Sequence, residues 1–385
     1  MKRKLAVVTS SRADYSHLYW PLRELASHPE VELKIVALGA HLSPEFGCTA
    51  QEIERGFPID SRIECLLSSD TDVGMAKTIG VAALGLADCL GQMRPDLLLL
   101  TADRYEMLAP AAVATALRIP LAHIEGGEIS EGVIDDAVRN ALTKLSHVHF
   151  TSTEQARARV ISMGEEPWRV HRAGAPSLDH LRRSRLLDRE QVEARLGIRL
   201  ERPTAVVACH PTTIARDPTR EADALFAALE SIPAQLLFCY PNADAGSRAL
   251  IARTESFVGR LGKGRVFVNL DPILYWSLLR CADLLLGNSS SGIMEAASFA
   301  LPVVNIGIRQ RGRERASNVL DADATAAYIL DRYATATSDA FRRSLQGMEN
   351  PYGDGHAAER IAAVLASVPL GEELLIKHAP AVEVK

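Results

Sequence analysis

Apolar runs of four to eight residues alternate along this chain with longer stretches whose apolar positions recur every three or four residues. The runs "KLAVVT", "ELKIVAL", "PDLLLLTA", "IPLAHIEGG" and "HVHFTS" carry the continuous apolar character of strands buried on both faces. Between them, "YSHLYWPLRELAS", "GMAKTIGVAALGLADCLGQM" and "DDAVRNALTKL" have helical spacing. Apolar strands joined by helical crossovers predict a parallel sheet covered on both sides. The rhythm stops over residues 176–202, which are charged and helical without a strand signal, and restarts with "TAVVAC", "AQLLFCYP", "GRVFVNL", "ADLLLG" and "LPVVNIG". The expected class is therefore α/β, with two Rossmann-like parallel-sheet domains facing across a cleft. The first covers 1–175, a helical linker 176–202 and the second domain 203–350, leaving 351–385 as a C-terminal helix and tail.

Ligands of open parallel sheets bind beyond the carboxyl ends of the strands. Here those positions read "TSSRADY", "TADRYE", "HIEGGE", "CHPTT", "YPNAD" and "GNSSSG", a set of arginines, carboxylates, a histidine and hydroxyls. The last leads into "GNSSSGIMEA", where a helix N-terminus offers unsatisfied N–H groups to a phosphate. Gly292 would allow close backbone approach, and Ser289 and Ser290 can donate hydroxyl bonds. A plain serine cap reads equally well from the same residues. Glu295, one turn on, suits paired ribose hydroxyls or serves as a capping carboxylate.

In "NIGIRQRGRERASNV" four arginines fall at every second position, which an extended segment would place on one side. Arg309, nearest the strand, is the candidate for a diphosphate fork, and the others read as a solvated loop. Arg12, after the first strand, could meet an anion or pair with Asp14. Asp103 and Glu125 end successive strands, where neighbouring carboxylates form acid/base pairs. Asp135 and Asp136 open a helix, a favoured place for acids regardless of function. His210, directly after a strand, is placed to meet a phosphate or donate a proton.

Composition narrows the partners. The 385 residues are 47% hydrophobic and 24% charged, with a net charge of −5, which gives no global pull toward nucleic acid. No apolar stretch is expected to cross a bilayer, so no membrane partner is expected, and "LAVV" near the start is too short for a signal-peptide core. Six scattered cysteines without a CxxC pair fit a reducing cytoplasm. No GxGxxG fingerprint and no HxxH or DxDxD spacing occurs, so neither a dinucleotide cofactor nor a metal is expected.

Taken together, "SRADY", "LLTADRYEMLA", "HIEGGE…DDAVRNALTKLSHVHF", "CHPTT", "YPNADAGSR" and "GNSSSGIMEA…PVVNIGIRQRGR" resemble the UDP-N-acetylglucosamine 2-epimerase family over residues 9 to about 320. The match is to its hydrolysing branch; the other branch carries GTRPE where this chain has "SSRAD", and HxEAG where it has "HIEGG". The resemblance implies a GT-B-like architecture with the C-terminal helix crossing back to the first half. It implies a diphosphate held by Arg12, Ser289, Ser290 and Arg309, a ribose on Glu295, and sugar-nucleotide contacts at Ser16 and Asn242. It also implies catalytic acids at Asp103, Glu125 and Asp136, with Arg104 and His210 beside them. Met294 stands where the family often has an arginine.

The activity implied is conversion of UDP-N-acetylglucosamine and water to N-acetylmannosamine and UDP in sialic-acid-type biosynthesis. The same reaction on UDP- or GDP-N,N'-diacetylbacillosamine, a GT-B glycosyltransferase and a non-catalytic nucleotide-sugar sensor are the alternatives. A homo-oligomer, dimer or tetramer, is the default for such enzymes.

Overall fold

In a computed structural model of the chain, residues 2–67, 69, 71–131, 133–212, 217, 219–240, 247–268 and 270–379 are described. They divide into two compact units. One comprises 1–128, 135–179 and 352–385, the other 129–134 and 180–351.

The first unit is built on seven parallel strands: β1 (Arg3–Thr9), β2 (Val31–Leu38), β3 (Ser61–Ile63), β4 (Leu97–Thr101), β5 (Leu121–Ile124), β6 (Val148–Thr151) and β7 (Val170–Arg172). Their spatial order is β3-β2-β1-β4-β5-β6-β7, so the winding direction reverses between β1 and β4. Alternate residues of β1 serve opposite faces. Leu5 and Val7 pack with helices Arg12–Ser27 and Ala357–Ser367, while Ala6 and Val8 pack with helices Asp72–Met93 and Leu108–Leu117. The C-terminal helix Ala357–Ser367 is anchored here, because the Asp179 carboxylate accepts the amides of Ala357 and Ala358.

The second unit has six parallel strands: β8 (Thr204–Ala208), β9 (Gln235–Cys239), β10 (Arg265–Phe267), β11 (Leu284–Gly287), β12 (Val303–Ile306) and β13 (Val319–Ala322). The order β10-β9-β8-β11-β12-β13 places the reversal between β8 and β11. Gly287 ends β11 at φ +135°, and a Cβ there would stand 2.1 Å from the Ala208 carbonyl oxygen, so only glycine fits against β8. Residues 176–202 contain helices Ser177–Arg183 and Arg189–Leu196. All six cysteines are free.

Two expectations need correction. The segment Ile129–Ile134 belongs with the second unit, held by a hydrogen bond from the Glu131 amide to the Arg311 carbonyl at 3.4 Å. Helix Asp72–Met93 is, by length and composition, apolar enough to cross a membrane. Alanine, glycine and leucine supply that apolarity, and no single run of large side chains betrays it. Gly74, Thr78, Ala82, Leu86 and Leu90, at every fourth position, are buried within the unit.

Candidate functional site

Reversal of strand order opens a crevice at the carboxyl edge of a sheet, and in each unit the motif loops flank that point. In the first unit they follow β1 and β4. Helix Arg12–Ser27 starts immediately after β1 because Asp14 turns back to accept the amides of Ser10 and Ser11 at 2.6 and 2.7 Å. Asp14 is thereby occupied, and the anticipated Arg12–Asp14 pair does not form. The Arg12 guanidinium, half-buried, has no hydrogen-bond or ion-pair partner among the described residues. Ser16 donates its hydroxyl to the Ala13 carbonyl at 2.7 Å.

β4 and β5 pair in register up to Thr101 and Ile124. Both chains then turn sharply, with Ala102 at φ +58° and Glu125 at φ +67°, conformations that cost of order 1–3 kcal/mol for residues other than glycine. The turns are pinned. The Ala102 amide donates to Ile124 O at 3.0 Å, and Glu125 N to Phe150 O at 2.8 Å. The His123 ring donates from Nε2 to the Ala102 carbonyl at 2.7 Å. His123 is fully buried, and desolvation pushes its pKa down to about 4, so it is neutral and acts as a prop.

The acids then find specific partners. Arg139, only 1% exposed along its side chain, pairs with Asp103, reaches Asp136 Oδ1 at 3.5 Å and donates to the Glu128 carbonyl at 3.0 Å. One guanidinium thus gathers two of the three candidate acids, and Asn140 adds a bond to Asp136 at 3.2 Å. Glu125 Oε1 lies 2.8 Å from His17 Nδ1. Arg104 stands beside Asp103 in sequence, but its Nε and Nη2 bond the fully buried Glu106 carboxylate at 3.2 and 2.9 Å. A carboxylate without solvent needs that cation, which gives Arg104 a structural duty not foreseen in the sequence.

In the second unit Asn288 organises the edge between β8 and β11. Its side chain accepts the His210 amide at 2.7 Å and donates to the His210 carbonyl at 2.9 Å. Its own carbonyl accepts Arg309 Nη1 at 3.1 Å and Gln310 Nε2 at 2.9 Å. His210, Ser289 and Arg309 therefore surround one residue. Arg309 Nε is buried without a hydrogen-bond partner among the described residues. Burial, and then the nearby Arg309 charge, push the pKa of His210 down to about 3.

The serine-rich turn differs from expectation. Ser290 precedes a helix of four residues, Ser291–Met294, without a side-chain capping bond, and a 3-10 turn Ala296–Phe299 follows. So short a helix has little macrodipole. The Gly292 amide is already spent on Ser289 O at 3.1 Å. A Cβ on Gly292 would meet Val303 Cγ1 at 2.9 Å, so this glycine serves packing against β12 and not approach to a ligand. What remains available are the amides of Ser289 and Ser290, which donate to nothing among the described residues. Glu295, 5% exposed, follows directly, and the Tyr275 phenol stands beside Ser289 and Ser291.

The four alternating arginines do not line one side, because residues 309–312 form turns. Arg311 is exposed, Arg313 Nε donates to the Ile129 carbonyl at 3.2 Å, and Arg315 pairs with Asp321. Glu221 holds the turn before Arg309, accepting the Ile308 amide at 3.1 Å, and it also accepts the Thr212 hydroxyl at 3.0 Å. Asn242 lies outside the described residues. Among the described residues no group of three or more His, Cys, Asp or Glu side chains could hold a metal ion.

Comparison with known proteins adds four findings. The family profile described as UDP-N-acetylglucosamine 2-epimerase matches residues 23–366. A UDP-N,N'-diacetylbacillosamine 2-epimerase (hydrolyzing) of Legionella pneumophila is 35% identical over 379 residues, 98% of this chain and 99% of that protein. A UDP-N-acetylglucosamine 2-epimerase of Neisseria meningitidis is 31% identical over 341 residues, 88% of each. Among solved structures, UDP-GlcNAc 2-epimerase from Neisseria meningitidis bound to UDP-GlcNAc matches with a TM-score of 0.79 at 18% identity, covering 94% of this chain and 99% of that one. This last likeness establishes the fold, a GT-B-like pair of Rossmann-type sheets.

Proposed function

This chain belongs to the UDP-N-acetylglucosamine 2-epimerase family, and we propose that it is a hydrolysing 2-epimerase whose preferred substrate is UDP-N,N'-diacetylbacillosamine. The 35% identity running over almost the whole length of the Legionella enzyme carries this choice of sugar. UDP-N-acetylglucosamine is the second reading, supported by the Neisseria relative at 31%.

The proton at C2 of such a sugar is not acidified by a neighbouring carbonyl, so the C1–O bond must break first or in advance. UDP departs with the bonding pair, and the cationic character left at C1 acidifies C2–H. Stabilising the leaving diphosphate is then the main demand. Arg309 Nε, the amides of Ser289 and Ser290 and the His210 ring are the donors assigned to it, with Arg12 as a second guanidinium and Glu295 on the ribose. Gly292 drops out as a direct contact. Each charged hydrogen bond contributes roughly 1.5–3 kcal/mol, so three or four account for a large part of the barrier reduction.

One carboxylate then takes the C2 proton, leaving a C1=C2 glycal. Water adds its oxygen to C1 and releases a proton, while a second acid protonates C2 from the opposite face. The products are UDP and the free 2-epimer. Asp103 is assigned as base, since its ion pair with Arg139 forms only with the carboxylate. Glu125, paired with His17, is assigned as the acid, with Asp136 sharing Arg139. The test is a panel of UDP-N,N'-diacetylbacillosamine, its GDP analogue and UDP-N-acetylglucosamine. The proposal expects the highest kcat/KM for the first, and a higher value for UDP-N-acetylglucosamine overturns the choice of sugar.

A further inference from the structure

Asp103 and Glu125 follow neighbouring strands, yet they stand differently toward water. The Asp103 side chain is 22% exposed, whereas that of Glu125 is 8% exposed. Glu125 is also fixed in place, since its φ of +67° is pinned by the bond from its amide to Phe150 O at 2.8 Å. A proton taken up by Asp103 can leave to solvent directly. A carboxylate as enclosed as Glu125 has no such access once it has given its proton away, and it cannot swing out to collect another.

His17 bridges that gap. Its Nδ1 lies 2.8 Å from Glu125 Oε1, and its side chain is 21% exposed. The core brings the two together, because Tyr15, Leu18 and Leu22 of helix Arg12–Ser27 pack in one cluster with Leu99 and Ile124. Other polar groups at the start of that helix are engaged or unsuited. Asp14 accepts the amides of Ser10 and Ser11, and Ser16 bonds the Ala13 carbonyl. The Arg12 guanidinium does not release its proton near neutral pH. Histidine both takes up and gives protons there.

We propose that His17 recharges Glu125, carrying a proton from solvent to the carboxylate after each turnover. This rests on the assignment of Glu125 as the acid that protonates C2, and adds the route by which that acid is restored. Once Glu125 has delivered its proton, the imidazolium of His17 faces a carboxylate. The Nδ1–H bond breaks as an O–H bond forms on Glu125, leaving a neutral ring with its proton on Nε2. No longer held by an ion pair, the ring turns outward and regains a proton at Nδ1 from solvent. The proton released when water adds to C1 balances the one taken up.

The test is rapid-quench kinetics with a UDP-linked 2-acetamido sugar in excess over enzyme. His17→Gln keeps a side-chain amide that can donate to Glu125 but cannot relay a proton. Its first turnover should run within about threefold of wild type, with the steady rate about 10²-fold lower, so that a burst of about one equivalent of free sugar precedes a slow phase. His17→Ala should regain about tenfold in steady rate on addition of imidazole, which supplies the missing acid/base group. A residue that merely oriented Glu125 would slow the first turnover as much as later ones and would not respond to imidazole. Either of those results, or a His17→Gln steady rate equal to wild type, overturns the relay. Glu125→Gln should show neither burst nor rescue. Normal product formation by Glu125→Gln overturns the assignment of the acid itself, and the relay with it.

Discussion

Asp103→Asn and Arg139→Leu should damage the protein in opposite ways. The asparagine side chain keeps the shape of the aspartate and still accepts a hydrogen bond from Arg139, so only the charge is lost. The Asp103 side chain is 22% exposed, and solvent screens part of that charge, so the expected stability cost is about 1 kcal/mol or less. Turnover should nevertheless fall about 10²–10⁴-fold, the usual contribution of a positioned acid or base, with UDP affinity unchanged. Arg139→Leu instead removes a buried guanidinium from two carboxylates and from the Glu128 carbonyl, which is bonded at 3.0 Å. Breaking a fully buried pair from one side costs about 3–5 kcal/mol. With the two acids 22% and 30% exposed, about 2–3 kcal/mol is the discounted expectation. Urea unfolding, single-turnover rates and UDP titration separate the two variants. Asp103→Asn turning over within about threefold of wild type, far short of the expected loss, refutes the proton-transfer role. Arg139→Leu as stable as wild type refutes the organising role of the guanidinium.

Two further outcomes follow from the same geometry. Arg309→Ala removes the buried Nε donor and the bond to Asn288, so UDP should bind roughly tenfold or more weakly, as expected for losing one charged hydrogen bond; calorimetry showing unchanged UDP affinity would place the diphosphate elsewhere. His123 and His147 are both pushed down to about 4 by burial. Below pH 6.5 the unfolded chain binds protons that the folded one refuses, so each lowers unfolding free energy by up to ~1.4 kcal/mol per pH unit as pH falls from about 6.5 to about 4. His123→Gln should flatten that slope, and denaturant melts across this range showing the wild-type slope in the variant would contradict it.

The sequence announced the long buried strands because their apolar runs are uninterrupted. It concealed β3, β7 and β13, edge strands of three or four residues with mixed burial whose pattern resembles loop. Placement was legible at the strand ends, since the candidates Asp103, Glu125, His210 and Ser289 do lie just past β4, β5, β8 and β11. What escaped was pairing between distant segments: His17 with Glu125, Arg139 with Asp103, and Glu221 with the turn before Arg309. Only Asn288 carried a local signal, its place inside "GNSSSG". The period-two arginines part company because a run of turns after β12 replaces the extended geometry that such spacing presumes, in keeping with the loop expected for all but Arg309.

Solvent exchange at one carbon tests the central claim most directly. The enzyme is incubated in D2O with a UDP-linked 2-acetamido sugar and no acceptor, and the released sugar is examined by proton NMR. The account predicts a product inverted at C2 and carrying solvent deuterium there, formed together with free UDP. A product that retains its original C2 proton and configuration would mean simple hydrolysis or transfer, and would contradict acids acting on both faces of C2.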